Sequence, residues 1–96
     1  MKPSEAIVLH RDTVRRIVLD SGMENPRLYG SVVHGDDDDD SDLDLLVDPT
    51  ADTSLLDLAK LQVELESAVG IRVDVRTPNF LPEHFRDKVL AEAIPV

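Results

Sequence analysis

Ninety-six residues with no cysteine exclude a disulfide framework and a thiolate zinc site. No apolar run is long enough to cross a bilayer or to act as a secretory leader. The net charge of −10 is concentrated: Asp36 to Asp40, Asp42, Asp44 and Asp74 supply eight negatives, and without them 12 acidic residues face 10 basic ones. Such a local field attracts cations and basic protein surfaces and repels a nucleic-acid backbone, which argues against nucleic acid as the main partner. Hydrophobic content of 42% with only three aromatics, Tyr29, Phe80 and Phe85, predicts one small domain over residues 1–96 with a core of Leu, Val, Ile and Ala. The lack of cysteine fits a reducing, cytoplasmic setting.

The first predicted element is an amphipathic helix over residues 4–21. Ile7, His10, Val14, Ile17 and Val18 form its apolar stripe, Ser4 is the expected N-cap, and Ser21-Gly22 the stop. Asn25-Pro26 marks a turn into a short strand, Arg27 to Tyr29, which delivers Gly30-Ser31 at its carboxyl end. A helical turn is expected over 31–35. The Asp36–Asp40 run then reads as a solvated loop, since five like charges do not form regular structure unaided.

Ser41 to Asp48 reads as the second strand, ended by Pro49. Asp52-Thr53-Ser54 offers caps for a helix reaching Val69, with Leu55, Leu58, Leu61, Leu65 and Ala68 inward and Gly70 as its close. Ile71 to Arg76 is the third strand. Residues 82–93 read as a last helix with Phe85, Val89, Leu90 and Ala93 inward.

Alternation along the two inner strands has a chemical consequence. Asp42, Asp44 and Leu46 fall on one face of the second strand, Leu43, Leu45 and Val47 on the other. At a rise of roughly 3.3 Å per residue the two Asp Cα atoms lie about 6.6 Å apart, close enough for both carboxylates to meet one divalent cation or a close pair. In the third strand Asp74 lies between Arg72 and Arg76, opposite Ile71, Val73 and Val75. If these strands are neighbours, helices cover the apolar face and all three carboxylates share a cleft. His10, His34 and His84 have no metal-ligand spacing. Tyr29 reads as a packed residue, and Arg72 and Arg76 as surface or charge-pairing residues.

The stretch Gly30-Ser31, ten residues, Asp42-Leu43-Asp44 resembles the signature G-S-x10-D-x-D of the DNA polymerase β-like nucleotidyltransferase superfamily. With the short length it is similar to the minimal nucleotidyltransferase branch, whose members serve as antitoxins beside HEPN-domain toxins. The resemblance covers roughly residues 26–94 by motif and element order. It implies an α/β fold, a small twisted mixed sheet with helices packed on one face. Asp42, Asp44 and Asp74 would be catalytic and would hold two magnesium ions, while Gly30 and Ser31 would bind the triphosphate of ATP. The implied reaction is transfer of AMP to a hydroxyl, such as a tyrosine, of a HEPN toxin bound as a hetero-oligomer.

One departure stands out. Val32, His34 and an all-Asp loop occupy positions where many members carry cations, although Gly35 matches a common family glycine. The exchange is expected to weaken nucleotide binding unless magnesium compensates. Two other readings of the same residues are a contact-only binding module with a degenerate site, and one subunit of a small-molecule nucleotidyltransferase.

Overall fold

The computed structural model describes residues 1–96. Its elements are α1 (Pro3–Asp20), β1 (Glu24–Leu28), α2 (Ser31–His34), β2 (Leu43–Asp48), α3 (Leu55–Val69), β3 (Val73–Arg76), a 3-10 turn (Pro78–Phe80), α4 (Glu83–Glu92) and β4 (Ile94–Pro95). The four strands form one mixed sheet in the order β3-β2-β1-β4. β2 and β3 run parallel, and β1 is antiparallel to both β2 and β4.

The apolar sides of the strands meet α1 and α3. Leu43, Leu45, Val47, Val73 and Val75 are buried together with Ile7, Val14 and Val18 of α1 and Leu58, Leu61, Leu65 and Val69 of α3. α3 is well specified locally. Ser54 accepts from the Asp57 N–H and Asp57 returns a bond to the Ser54 N–H, a reciprocal cap. Gly70, at φ 78°, ends it in the left-handed conformation.

Several expectations give way to tertiary context. α1 starts one residue earlier than predicted. Lys2 is its N-cap and Pro3 takes the first helical position, so Ser4 lies inside the helix with its N–H donating to the Asp37 carboxylate at 2.9 Å. The helix also kinks at His10. β1 begins at Glu24 rather than after Pro26, because a bulge with Asn25 at φ 52° lets the strand start before the proline. The Pro26 carbonyl accepts from the Val96 N–H. Leu55 is 67% exposed instead of inward. No residue of α4 is buried; Arg86, Val89 and Glu92 are its partly covered positions, with Ala93 just after it, since α4 packs on the 3-10 turn and not in the α1–α3 layer. Leu46 is fully buried although it points to the carboxylate side, and Leu81, just after the 3-10 turn, is buried as well.

Both sheet edges are blunted. β4 is two residues long and contains Pro95, which has no N–H to offer. On β3, the outward N–H groups of Val73 and Val75 donate to Glu66 Oε2 at 3.1 Å and Gln62 Oε1 at 3.2 Å. α3 thus consumes the donors that would template another strand. Replacing both side chains (Glu66→Ala with Gln62→Ala) is expected to cost about 2 kcal/mol in urea unfolding, from two unpaired edge donors. It should also produce concentration-dependent self-association in sedimentation.

Candidate active site

β1 ends at Leu28, and the Tyr29 N–H donates to the Asp44 backbone carbonyl at 3.2 Å. That bond places Gly30 against the Asp44 side chain. Gly30 has φ 77° and ψ −144°, and a Cβ there would collide with the Asp44 carboxylate. Only glycine meets both conditions, positive φ and an approach this close. Ser31 then starts α2, which ends at Gly35 after one turn.

The parallel register makes Asp44 and Asp74 direct partners, Cα to Cα, across β2 and β3. Adjacent strands lie about 4.8 Å apart, so the two carboxylates stand side by side on the face opposite α1 and α3. Asp42 sits just before β2 on the same side. The structure therefore brings Gly30, Asp42, Asp44 and Asp74 into one site, with Ser31 at its border.

Two arginines pair with the outer carboxylates. Arg72 Nε is 2.9 Å from Asp42 Oδ1, and Arg76 Nε is 3.1 Å from Asp74 Oδ2. Arg72 also donates to the Asp40 carbonyl at 2.7 Å, fixing the end of the acidic loop to β3. The pairing role expected for these arginines is the one found. Asp44 has no such partner. Its carboxyl is pushed up to about 6, first by burial and then by the Asp74 and Asp42 charges, with Arg76 opposing. Tyr29 is half-buried beside this group. Its hydroxyl is pushed well above the usual phenol range, mainly by burial and then by Asp44 and Asp74. The aromatic position before Gly-Ser was the available signal for this neighbour.

The acidic loop is more ordered than five exposed carboxylates suggest. The Ser4 N–H holds the Asp37 carboxyl below the usual range. Asp38 accepts from the Asp40 N–H, and Ser41 bridges back to Asp38. His34 Nε2 lies 2.7 Å from Glu92 Oε2 and so joins α2 to α4.

No three His, Asp or Glu side chains close to metal-ligand distance in these rotamers. The donor set nonetheless fits a hard cation: three carboxylates share one face, two of them in register, with a glycine backbone beside them. Closure requires Asp42 and Asp74 to turn from their arginines. The largest surface hollow, about 750 Å³ between α1 and α3, lies on the opposite side of the sheet and holds none of these carboxylates. The candidate site is therefore the carboxylate face and not the larger hollow.

Because the Asp44 carboxyl is raised in the folded chain, its contribution to stability is full below about pH 4 and is lost as pH rises through about 6. Asp44→Asn mimics the protonated form. In chelator-treated protein it should be about 1 kcal/mol more stable than the parent at pH 8, after allowance for solvent screening, and indistinguishable near pH 4. Urea titrations at the two pH values measure the difference.

Comparison with known proteins identifies the family and the fold. Residues 23–96 match the family described as polymerase beta, nucleotidyltransferase. A candidate protein adenylyltransferase of Methanocaldococcus jannaschii is 38% identical over 80 residues, 83% of this chain and 86% of that protein. The protein adenylyltransferase MntA of Thermococcus cleftensis is 36% identical over 75 residues, 78% of this chain and 76% of that protein. Among solved structures, a candidate minimal nucleotidyltransferase superposes with a TM-score of 0.85 at 39% identity, covering 97% of this chain and 95% of the other. The fold recurs at 19% identity, with a TM-score of 0.75 over 88% of this chain and 69% of the other, in a toxin–antitoxin structure with AMP-PNP. The chain belongs to the polymerase beta nucleotidyltransferase family, and its fold is that of a minimal nucleotidyltransferase.

Proposed function

We propose that this single domain is a protein adenylyltransferase and the antitoxin of a toxin–antitoxin pair, moving AMP from ATP to a tyrosine hydroxyl of a HEPN-domain toxin. The observation that carries the proposal is the in-register pairing of Asp44 with Asp74, next to Asp42 and against Gly30. The names of the two curated relatives support protein as the acceptor class. A cytoplasmic setting, where ATP is at hand, is part of this reading.

In the balanced step the acceptor oxygen bonds to the α-phosphorus, the bond to the β-phosphate oxygen breaks, and pyrophosphate leaves. Asp42, Asp44 and Asp74 would hold magnesium, which when bound neutralises phosphate charge and favours loss of the acceptor proton. Gly30 admits the triphosphate backbone-close, and the N–H groups at the start of α2 together with the Ser31 hydroxyl orient it. The Asp74 carboxylate, at the outer strand, would take the acceptor proton and pass it to solvent once it has turned from Arg76. Asp44 must give up its own proton to act as a ligand, so metal affinity should fall as pH drops below about 6.

A second reading, neutralisation by contact alone, is favoured by the arginine pairs on Asp42 and Asp74 and by the all-Asp loop. The two readings diverge on Asp42→Asn/Asp44→Asn. Transfer should drop on the order of 100-fold or more, because the charges that hold the cations are gone. Mass spectrometry of the toxin after incubation with ATP and magnesium reads the added AMP. A folded double variant that still neutralises the toxin, with no AMP added by the parent, would establish contact alone.

A further inference from the structure

Each arginine on the carboxylate face is matched to an aspartate, and the three matches differ. Arg27 gives both terminal nitrogens to Asp48. Arg72 divides its donors between Asp42 and the Asp40 carbonyl. Arg76 gives only its Nε, to Asp74 at 3.1 Å, and its terminal nitrogens make no hydrogen bond to the protein. We propose that Arg76 is a positioning residue that closes Asp74 and Asp44 to a free divalent cation and admits one that arrives bound to a polyphosphate. The inference rests on the carboxylates being the cation site, as in the adenylyl-transfer reading, and adds how that site is loaded.

The strand pairing aims the guanidinium. Arg76 lies in register with Leu46, which is fully buried and has no polar side-chain atom, so the guanidinium turns along β3 to Asp74. Its charge reaches Asp44 as well, where it opposes the rise of that carboxyl. The Asp74 charge, followed by Tyr29, raises the pKa of Arg76 further, so the blocking charge does not leave by deprotonation. One guanidinium therefore acts on two of the three carboxylates. A cation on Asp74 would stand within a few ångströms of it, and like charges that close repel.

The form of the incoming cation decides the outcome. A free ion displaces Arg76 and leaves the guanidinium facing the ion that displaced it. An ion carried by a polyphosphate also brings an anion, and the unpartnered terminal nitrogens of Arg76 form a fork suited to phosphate oxygens. The Arg76 side chain is 45% exposed and has room to swing. α2 supplies no competing cation, because Val32 and Val33 are apolar and His34 is paired with Glu92. Arg72 is not equivalent: it is 70% exposed and is tied to the acidic loop as well as to Asp42.

Calorimetry with Mn2+ alone, on the full chain, reads the block directly. Arg76→Gln should bind the ion roughly fivefold tighter than the parent, whereas loss of a merely structural arginine would weaken binding. Arg76→Lys keeps a charge on the strand and should return affinity toward that of the parent. Arg72→Gln should tighten binding less. Arg16→Gln, which removes the same charge from the opposite side of the sheet, should leave it unchanged. A non-hydrolysable ATP analogue should then improve Mn2+ binding several-fold more in the parent than in Arg76→Gln. Unchanged or weaker Mn2+ binding by Arg76→Gln would overturn the proposal. So would equal tightening in Arg72→Gln and Arg16→Gln, or an equal gain from nucleotide in the parent and Arg76→Gln. Tighter Mn2+ binding by Arg76→Gln, with no AMP added to the toxin by the parent, would refute adenylyl transfer and leave the gate standing.

Discussion

Everything at the candidate site depends on the parallel pairing of Leu43–Leu46 with Val73–Arg76. In that register two aspartates become neighbours, and like charges placed side by side repel. The strands stay paired because of their other face. Leu43, Leu45, Val47, Val73 and Val75 are buried there under α1 and α3. Each such side chain contributes roughly 1.5–3 kcal/mol by leaving water, so the set outweighs a carboxylate repulsion of about 1 kcal/mol in a partly solvated cleft. A slip of one residue would bring Asp and Arg to the core face and lose that burial at once. Hydrophobic packing on one side of the sheet therefore holds an unfavourable, chemically useful geometry on the other.

The arginines moderate the same conflict. Arg72 and Arg76 neutralise Asp42 and Asp74 at exposed positions, where ion pairs contribute little to stability. Asp44, the most enclosed of the three, carries the remaining strain as a raised carboxyl pKa. A site whose least stable member is the central carboxylate is what a cation-binding cleft requires, since a binding partner can recover the free energy that folding leaves unspent.

Much of this was legible in the chain. Period-two alternation in residues 42–48 and 71–76 identified β2 and β3 and their shared carboxylate face, although only β2 is an inner strand and β3 lies at the edge of the sheet. The Ser54–Asp57 cap and Gly70 bounded α3. Elements set by distant partners were not legible. β4 is two residues with no pattern of its own and exists because β1 offers it an edge. The start of β1 depends on a bulge that precedes a proline, where local rules predict a turn. In α4 the apolar residues misled, because the sheet's apolar face was already covered and the turn that receives the helix presents carbonyls to Arg86 instead. Leu46 and Leu55 exchange their expected roles, one buried on the polar side and one exposed on the apolar stripe. Periodicity reports which way a side chain points, and cover is a property of the whole fold.

The blunted edges and the acid field together constrain how any protein can approach. With β3 capped by Glu66 and Gln62 and β4 ending at a proline, the sheet cannot be extended by a partner's strand. The acidic loop is held in place by Asp37 on the first turn of α1 and by Arg72 on the Asp40 carbonyl, so its charge is presented from a fixed position. Fixed charge steers a basic surface before contact, and it does so within about 8 Å at physiological salt. The carboxylates thus stand on the face opposite α1 and α3, and the packing of those helices on the other face holds them there.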